Sequence, residues 1–260
     1  MPLLCEEVSR PTNSVPAVTD FFRFPHTPHI AWLAEGQPRD DKVLSPSEAT
    51  EFLQDEVVIE EKLDGANLGF SIAPNGTLRA QNRGQYLVPP FAGQFARLDD
   101  WLTVHQDSLF DALTESLIVF GEWCAARHSL DYDRLPDWWL MFDVYDREAQ
   151  HFWSTNRRNQ LASAAGASQV PCLHRGRVGL MQLKGWVANE ASHFRDGPVE
   201  GLMLRREDSL WLRDRAKLVR PGFTQAITQH WRNRPLAWNR VAHDDGSPML
   251  PKRRASLHKL

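Results

Sequence analysis

Cysteine is scarce in this chain, with three in 260 residues: Cys5, Cys124 and Cys172. They are odd in number and widely spaced, and no CxxC pair occurs. This excludes a disulfide framework and a cysteine-based zinc site, and fits a reducing cytosol. No apolar run approaches the roughly 20 residues that a membrane span needs. The start, Met1-Pro-Leu-Leu-Cys-Glu-Glu, has neither the basic opening nor the apolar stretch of a signal peptide. A cytoplasmic protein with no membrane association is expected. The ten histidines have no metal-ligand spacing, and His26 and His29, three apart in a Pro-rich segment, do not make a ligand pair. Internal repeats are absent too.

Ten tryptophans are many for this length; most are expected in the core, with one or two left to stack on bases. Hydrophobic residues make up 42% and charged residues 24%, ordinary for a globular chain of one large or two small domains. The net charge of −3 conceals an asymmetry. Residues 201–260 hold 13 Lys/Arg against 5 Asp/Glu, whereas residues 1–200 hold 17 against 28. A basic end on an acidic body suits a polyanion bound along one edge. A solvated tail without a partner would show the same charge.

Residues 1–18 are polar, contain three prolines and read as poorly ordered. Phe21 to Trp32 mixes aromatics with prolines and is expected to be extended and packed. Ser45-Pro46-Ser47-Glu48 is a helix start with a capping box, the helix running to about Gln54. Strands are expected at Val57–Glu61, Leu68–Ile72 and Thr77–Gln81, with a Pro74-Asn75-Gly76 turn joining the last two. Phe91, Phe95, Leu98 and Leu102 have helical spacing, predicting a helix from Phe91 to Asp107. Leu117–Trp123 and Trp138–Tyr145 read as buried strands, and Ser154 as the cap of a helix through Ala165. The Arg157-Arg158 pair within that helix reads as a solvated face. Val199–Arg205 and Leu210–Arg213 form a hairpin around Glu207-Asp208, and a helix over Phe223–Trp231 follows Pro221-Gly222.

Lys62 ends the apolar run that starts at Val57 and opens the hexapeptide Lys62-Leu-Asp-Gly-Ala-Asn67. A strand that delivers a lysine into a turn can hold one amine in a pocket, where it becomes a nucleophile once deprotonated. The plain alternative is a surface lysine before an Asp-Gly hairpin turn. The hexapeptide resembles motif I of the covalent nucleotidyltransferases, that is, ATP-dependent DNA and RNA ligases and mRNA-capping enzymes. Asn67 and Glu61 resemble the RNA-ligase branch of the phage double-strand-sealing and RNA-editing type. Five more segments follow in the family's order: Asn82-Arg83-Gly84 resembles motif Ia, Val119–Trp123 motif III, Met141–Tyr145 motif IIIa, Val199–Arg205 motif IV and Ala216–Arg220 motif V.

The resemblance implies an α+β fold, with antiparallel sheets and flanking helices enclosing a nucleotide pocket. It makes Lys62 the nucleophile that takes AMP from ATP. Glu61 is expected to aim its carboxylate or backbone at the adenine edge. Asn67 would contact phosphate or the sealing RNA end, and Arg83 ribose and phosphate. Glu122 would accept from the ribose hydroxyls and Phe142 would stack on adenine. Glu200 would hold Mg²⁺ or Mn²⁺, and Lys217 would neutralise the α-phosphate. Asp64 orients the turn or a metal-bound water. Motif V departs from the family's usual two lysines, reading Arg215-Ala-Lys217 with Arg220 beyond, so Arg215 joins Lys217 as a candidate phosphate ligand.

Only 43 residues follow Lys217, without a run of alternating strands, so the oligonucleotide-binding barrel that DNA ligases and capping enzymes add is expected to be missing. The expected organisation is a segment 1–18, an adenylyltransferase domain 19–222 and a short helical appendage 223–260 with the basic tail Lys252-Arg253-Arg254. The expected activity is ATP-dependent sealing of RNA 5′-phosphate and 3′-hydroxyl ends in RNA repair, alongside end-healing kinase or phosphatase enzymes. A DNA ligase, a GTP-using capping enzyme, and a non-catalytic nucleic-acid-binding protein on a ligase scaffold are the alternatives.

Overall fold

Ser45 Oγ accepts from the Glu48 amide at 3.2 Å while the Glu48 carboxylate accepts from the Ser45 amide at 2.7 Å. This closes the capping box of α1 (Pro46–Phe52) as the sequence predicts. The computed structural model describes residues 21–36, 38, 42–221, 223 and 235–242. The segment 1–18, the helix expected over 223–231 (apart from its first residue) and the basic tail lie outside them.

Strands β1 (Val57–Lys62), β9 (Cys172–Gly176), β10 (Gly201–Glu207) and β11 (Leu212–Val219) form an antiparallel sheet in the order β11-β10-β1-β9. The second sheet runs β4 (Tyr86–Leu87), β3 (Leu78–Gln81), β2 (Ala66–Ile72), β5 (Leu117–Trp123), β6 (Trp139–Asp146) and β7 (His151–Phe152), with β8 (Ser168–Gln169) pairing parallel to β6. Helix α4 (Leu180–Asn189) joins α1 in covering the outer face of the smaller sheet, where Val57, Ile59, Leu202 and Leu204 are buried with Leu183 and Val187. Helices α2 (Leu98–Ala112) and α3 (Thr155–Ala164) pack on the larger sheet around Phe70, Trp101, Trp123 and Trp139.

Several expectations shift, among them the strand expected at Leu210–Arg213, which runs Leu212–Val219. The helix predicted from Phe91 begins at Leu98, because Gly93 at φ +60° breaks it and leaves a 3₁₀ turn at Gly93–Phe95. Phe91, Phe95, Leu98 and Leu102 still meet in one core, so their spacing reports a shared face and not one continuous helix. The Arg157-Arg158 pair is not a solvated face: Arg158 is fully buried against Glu60, at 2.6 Å. The turn after Lys62 is also no hairpin. β1 pairs with β10 and β9, and β2 with β3 and β5, so Leu63–Gly65 carries the chain from one sheet to the other.

Gly65 makes that crossing possible. A Cβ there would lie 2.5 Å from the Trp123 carbonyl oxygen and 3.0 Å from Glu122 Cγ, and a backbone obstacle cannot swing aside. Gly65→Ala is expected to cost about 1–3 kcal/mol, read as a melting point lowered by about 3–10 °C.

Candidate active site at the joint of the two sheets

Alternation along β1 sends Val57, Ile59 and Glu61 to one face and Val58, Glu60 and Lys62 to the other. The second face looks into a cavity of about 340 Å³ between the sheets, within the range of small-ligand sites. Lys62 Nζ lies 2.7 Å from Glu200 Oε1. Around it stand Glu122, whose Oε1 accepts from the Gly65 amide at 3.0 Å, and Asp64. One amine therefore faces three carboxyl groups. Burial pushes the Lys62 amine down, but Glu200, Glu122 and Asp64 outweigh it and hold the group above its ordinary range, as an ammonium. Burial likewise lifts Glu122 from 4.5 to about 7 and Glu200 to about 8; Lys62 opposes both shifts, while Asp64 adds to them.

Glu200 Oε2 is buried with no hydrogen-bond partner. Glu200 does not itself line the cavity but meets it through Lys62, and its orphaned carboxylate oxygen suits a hard divalent cation, which keeps waters and substrate oxygens as its other ligands. Among the described residues, no three His, Cys, Asp or Glu side chains group into a metal site.

Asn67, Arg83, Glu122, Phe142 and Lys217 all line the cavity. Arg83 Nη2 donates to the Pro25 carbonyl at 3.0 Å. The β5–β6 register slips between Phe120 and Gly121, opposite Phe142, and this bulge gives the consecutive Phe142 and Asp143 access to one cavity. Glu61 borders the cavity through its main chain, because its carboxylate points to the other face. There it accepts from Ser192 Oγ at 2.6 Å and the His193 amide at 3.0 Å. Arg215 corrects an expectation. It does not line the cavity, being bonded to Asp143 with its guanidinium over the rings of Phe24 (4.7 Å) and Phe152 (3.9 Å). Among the motif V cations, Lys217 is the one at the cavity. Asp64 takes the turn-orienting role: its Oδ2 accepts from the Ser129 and Leu130 amides, both at 2.7 Å.

Several lining residues carry no individual expectation from the sequence: Phe24, Thr27, Glu60, Asp143, Val170 and Arg205. For Asp143 and Arg205 a signal exists, since each is a charge set inside an apolar strand. Asn239 is less visible. It is 2% exposed, donates to the Cys124 carbonyl at 2.7 Å and accepts from the Tyr132 amide at 2.9 Å. Tyr132 Oη in turn accepts from the Asp64 amide at 2.9 Å. Asn239→Ala strands a buried carbonyl and a buried amide, so a loss of about 2–4 kcal/mol is expected in denaturant melts. Its failure to appear would mean that water takes over both bonds.

The RNA ligase family model matches residues 55–219. Among solved structures, a Naegleria gruberi RNA ligase variant with ATP and Mn superposes with a TM-score of 0.56 at 15% identity, over 68% of this chain and 54% of that one. A second variant of that ligase, with AMP and Mn, gives 0.51 at 16% identity, over 71% and 54%. The chain thus spans about half the length of these ligases, and at this identity the likeness concerns the fold. No curated protein matches the sequence. Helices long and apolar enough to cross a membrane are absent among the described residues. With the family match covering the stretch from β1 through β11, and so all six motifs except Arg220 at the end of the last, the chain belongs to the RNA ligase family.

Proposed function

We propose that this protein is an ATP-dependent RNA ligase that seals 5′-phosphate to 3′-hydroxyl ends in RNA repair. The observation that carries this reading is Lys62, a half-buried amine paired to Glu200 at the joint of two sheets and facing a nucleotide-sized cavity. Lys62 Nζ attacks the α-phosphorus of ATP; an N–P bond forms, and the P–O bond to pyrophosphate breaks. An oxygen of the RNA 5′-phosphate then takes the AMP and releases the lysine. Finally the 3′-hydroxyl attacks the 5′-phosphorus and AMP leaves.

Before the first step the ammonium must lose its proton, and the three surrounding carboxyl groups oppose that loss. Glu200 would hold Mg²⁺ or Mn²⁺ through its unpartnered oxygen, and the bound ion would offset that negative charge and screen the phosphates. Lys217 faces the same cavity and supplies fixed positive charge as charge moves to pyrophosphate. Phe142 offers a ring face to adenine, Glu122 a carboxylate to the ribose hydroxyls, Arg83 a donor fork to ribose or phosphate, and Asn67 an amide to phosphate or the RNA end.

We assign catalysis to residues 19–222, with residues 235–242 folded back on the loop after β5. A cytoplasmic setting, end-healing partners and a basic tail gripping RNA complete the reading. The test is sealing of nicked and single-stranded RNA by purified protein with ATP and magnesium. Sealing of all-DNA nicks, or label taken from GTP alone, would move the protein to another branch. Absence of any covalent adduct would leave a nucleic-acid-binding protein.

A further inference from the structure

Residues 21–30 precede the stretch matched by the family, yet they form a wall of the cavity. We propose that Thr27 binds a phosphate oxygen of the nucleotide in the cavity that it lines together with Arg83 and Lys217. The proposal rests on reading the cavity as the ATP site.

Two anchors hold the segment. On one side the Arg83 guanidinium donates to the Pro25 carbonyl at 3.0 Å, and Gln81 Nε2 to the Phe22 carbonyl at 2.8 Å. On the other, the Lys217 amide donates to the Pro28 carbonyl and the Ile30 amide to the Lys217 carbonyl, both at 2.9 Å. The Arg83 guanidinium and the Lys217 main chain are thus tied to the segment two residues before Thr27 and one residue after it. Phe24 pins the segment from beneath, with its ring 4.9 Å from that of Phe120 and 5.3 Å from that of Phe142. Pro25 and Pro28 fix their own φ, and Pro28 confines Thr27 to extended backbone. Little freedom remains to be lost when a ligand arrives.

Thr27 is 8% exposed and lines the cavity, and no hydrogen bond of its hydroxyl joins it to the described residues. A hydroxyl held at the cavity wall with no such partner is free to donate to a ligand, and an anionic oxygen gives it a charge-assisted bond. Its surroundings select phosphate over base. Phe142 and Val170 supply the apolar surface suited to a base, whereas the segment that carries Thr27 is held by the Arg83 guanidinium and the Lys217 main chain.

The experiment compares Thr27→Val, which keeps shape and loses the hydroxyl, with Thr27→Ser, which keeps the hydroxyl. It reads the KM for ATP in adduct formation, ATP affinity by calorimetry in a Lys62→Met background, and competition by adenosine. Thr27→Val should weaken ATP about tenfold, Thr27→Ser should keep wild-type affinity, and adenosine should compete equally in all forms. Thr27→Ala provides a second hydroxyl-free variant should valine lower the melting point. Unchanged ATP affinity in the hydroxyl-free variants, or adenosine weakened as much as ATP, overturns the assignment. A wild type that binds ATP without forming an adduct sinks the ligase reading, while the calorimetric comparison still decides Thr27.

Discussion

Lys62→Ala and Lys62→Arg should each lose covalent transfer of label from α-labelled ATP by at least about a thousandfold. The arginine variant is the more informative. Its guanidinium keeps the positive charge that faces Glu200, Glu122 and Asp64, so the carboxyl cluster stays compensated and the fold is retained. But arginine stays protonated, so no lone pair reaches the α-phosphorus. A Lys62→Arg protein that still takes label would place the nucleophile elsewhere and sink the reading. The alanine variant adds a stability signature. In the folded protein Glu122 titrates near 7 and Glu200 near 8, against 4.5 ordinarily, so folding binds protons. A raised carboxyl pKa stabilises at low pH, and that contribution is lost as pH rises through about 7 and 8. The raised Lys62 amine keeps its stabilising contribution throughout this window, because it is lost only above the ordinary lysine range. With chelator present, melting points should fall from pH 6 to pH 8, and fall more steeply in Lys62→Ala, where the opposing cation is gone.

The parts of this fold that were legible in the sequence are those decided locally. Ser45 and Glu48 lie three apart and cap a helix, and short apolar runs made β1, β2 and β5 readable to within two residues. The cavity-facing motif residues come from strands or their immediate ends, so their order along the chain was enough to nominate them. What stayed hidden depends on distant pairing. Nothing near Glu61 says that its carboxylate will meet Ser192 and His193, or that Arg215 will be drawn off by Asp143 across the sheets. Residues 172–189 carry weak patterning: β9 holds no β-branched residue, and Gly179 and Gly185 blur the spacing of Leu180, Leu183 and Val187 in α4. The wall at residues 21–30 looks irregular in sequence because its hydrogen bonds run to Gln81, Arg83 and Lys217 rather than to its own neighbours.

The second large effect is expected at Arg205, behind the cavity. Three carboxyl groups (Glu60, Asp143, Glu207) and three guanidiniums (Arg158, Arg205, Arg215) are buried together where the two sheets meet. Arg205 is at the centre: 2.7 Å from Asp143, 3.5 Å from Glu207, and donating to the carbonyls of Phe142 at 3.2 Å and Trp153 at 3.0 Å. Burial pushes its guanidinium down, and Asp143, Glu60 and Glu207 more than reverse that, so its charge is firmly held. Arg215 is held less well. Burial, with Arg205 adding repulsion, brings it down to about 10 against the pull of Asp143.

Removing one partner of a buried ion pair costs about 3–5 kcal/mol because the other is left uncompensated. Arg205→Met falls in that range, since Asp143 and Glu207 both lose a cation and the Phe142 carbonyl keeps only Arg158, at 2.8 Å. Arg215→Met should cost less, because it strips one carboxylate of one of two arginines and relieves the repulsion between them. Denaturant melts of the two variants decide the matter, and equal losses would mean that the six charges act as one undivided unit. Phe142 adds a functional readout, for its carbonyl is fixed by Arg158 and Arg205 together. Arg205→Met should therefore weaken ATP binding at temperatures where the protein is still folded, whereas Arg215→Met, which touches no Phe142 bond, should leave it near wild type.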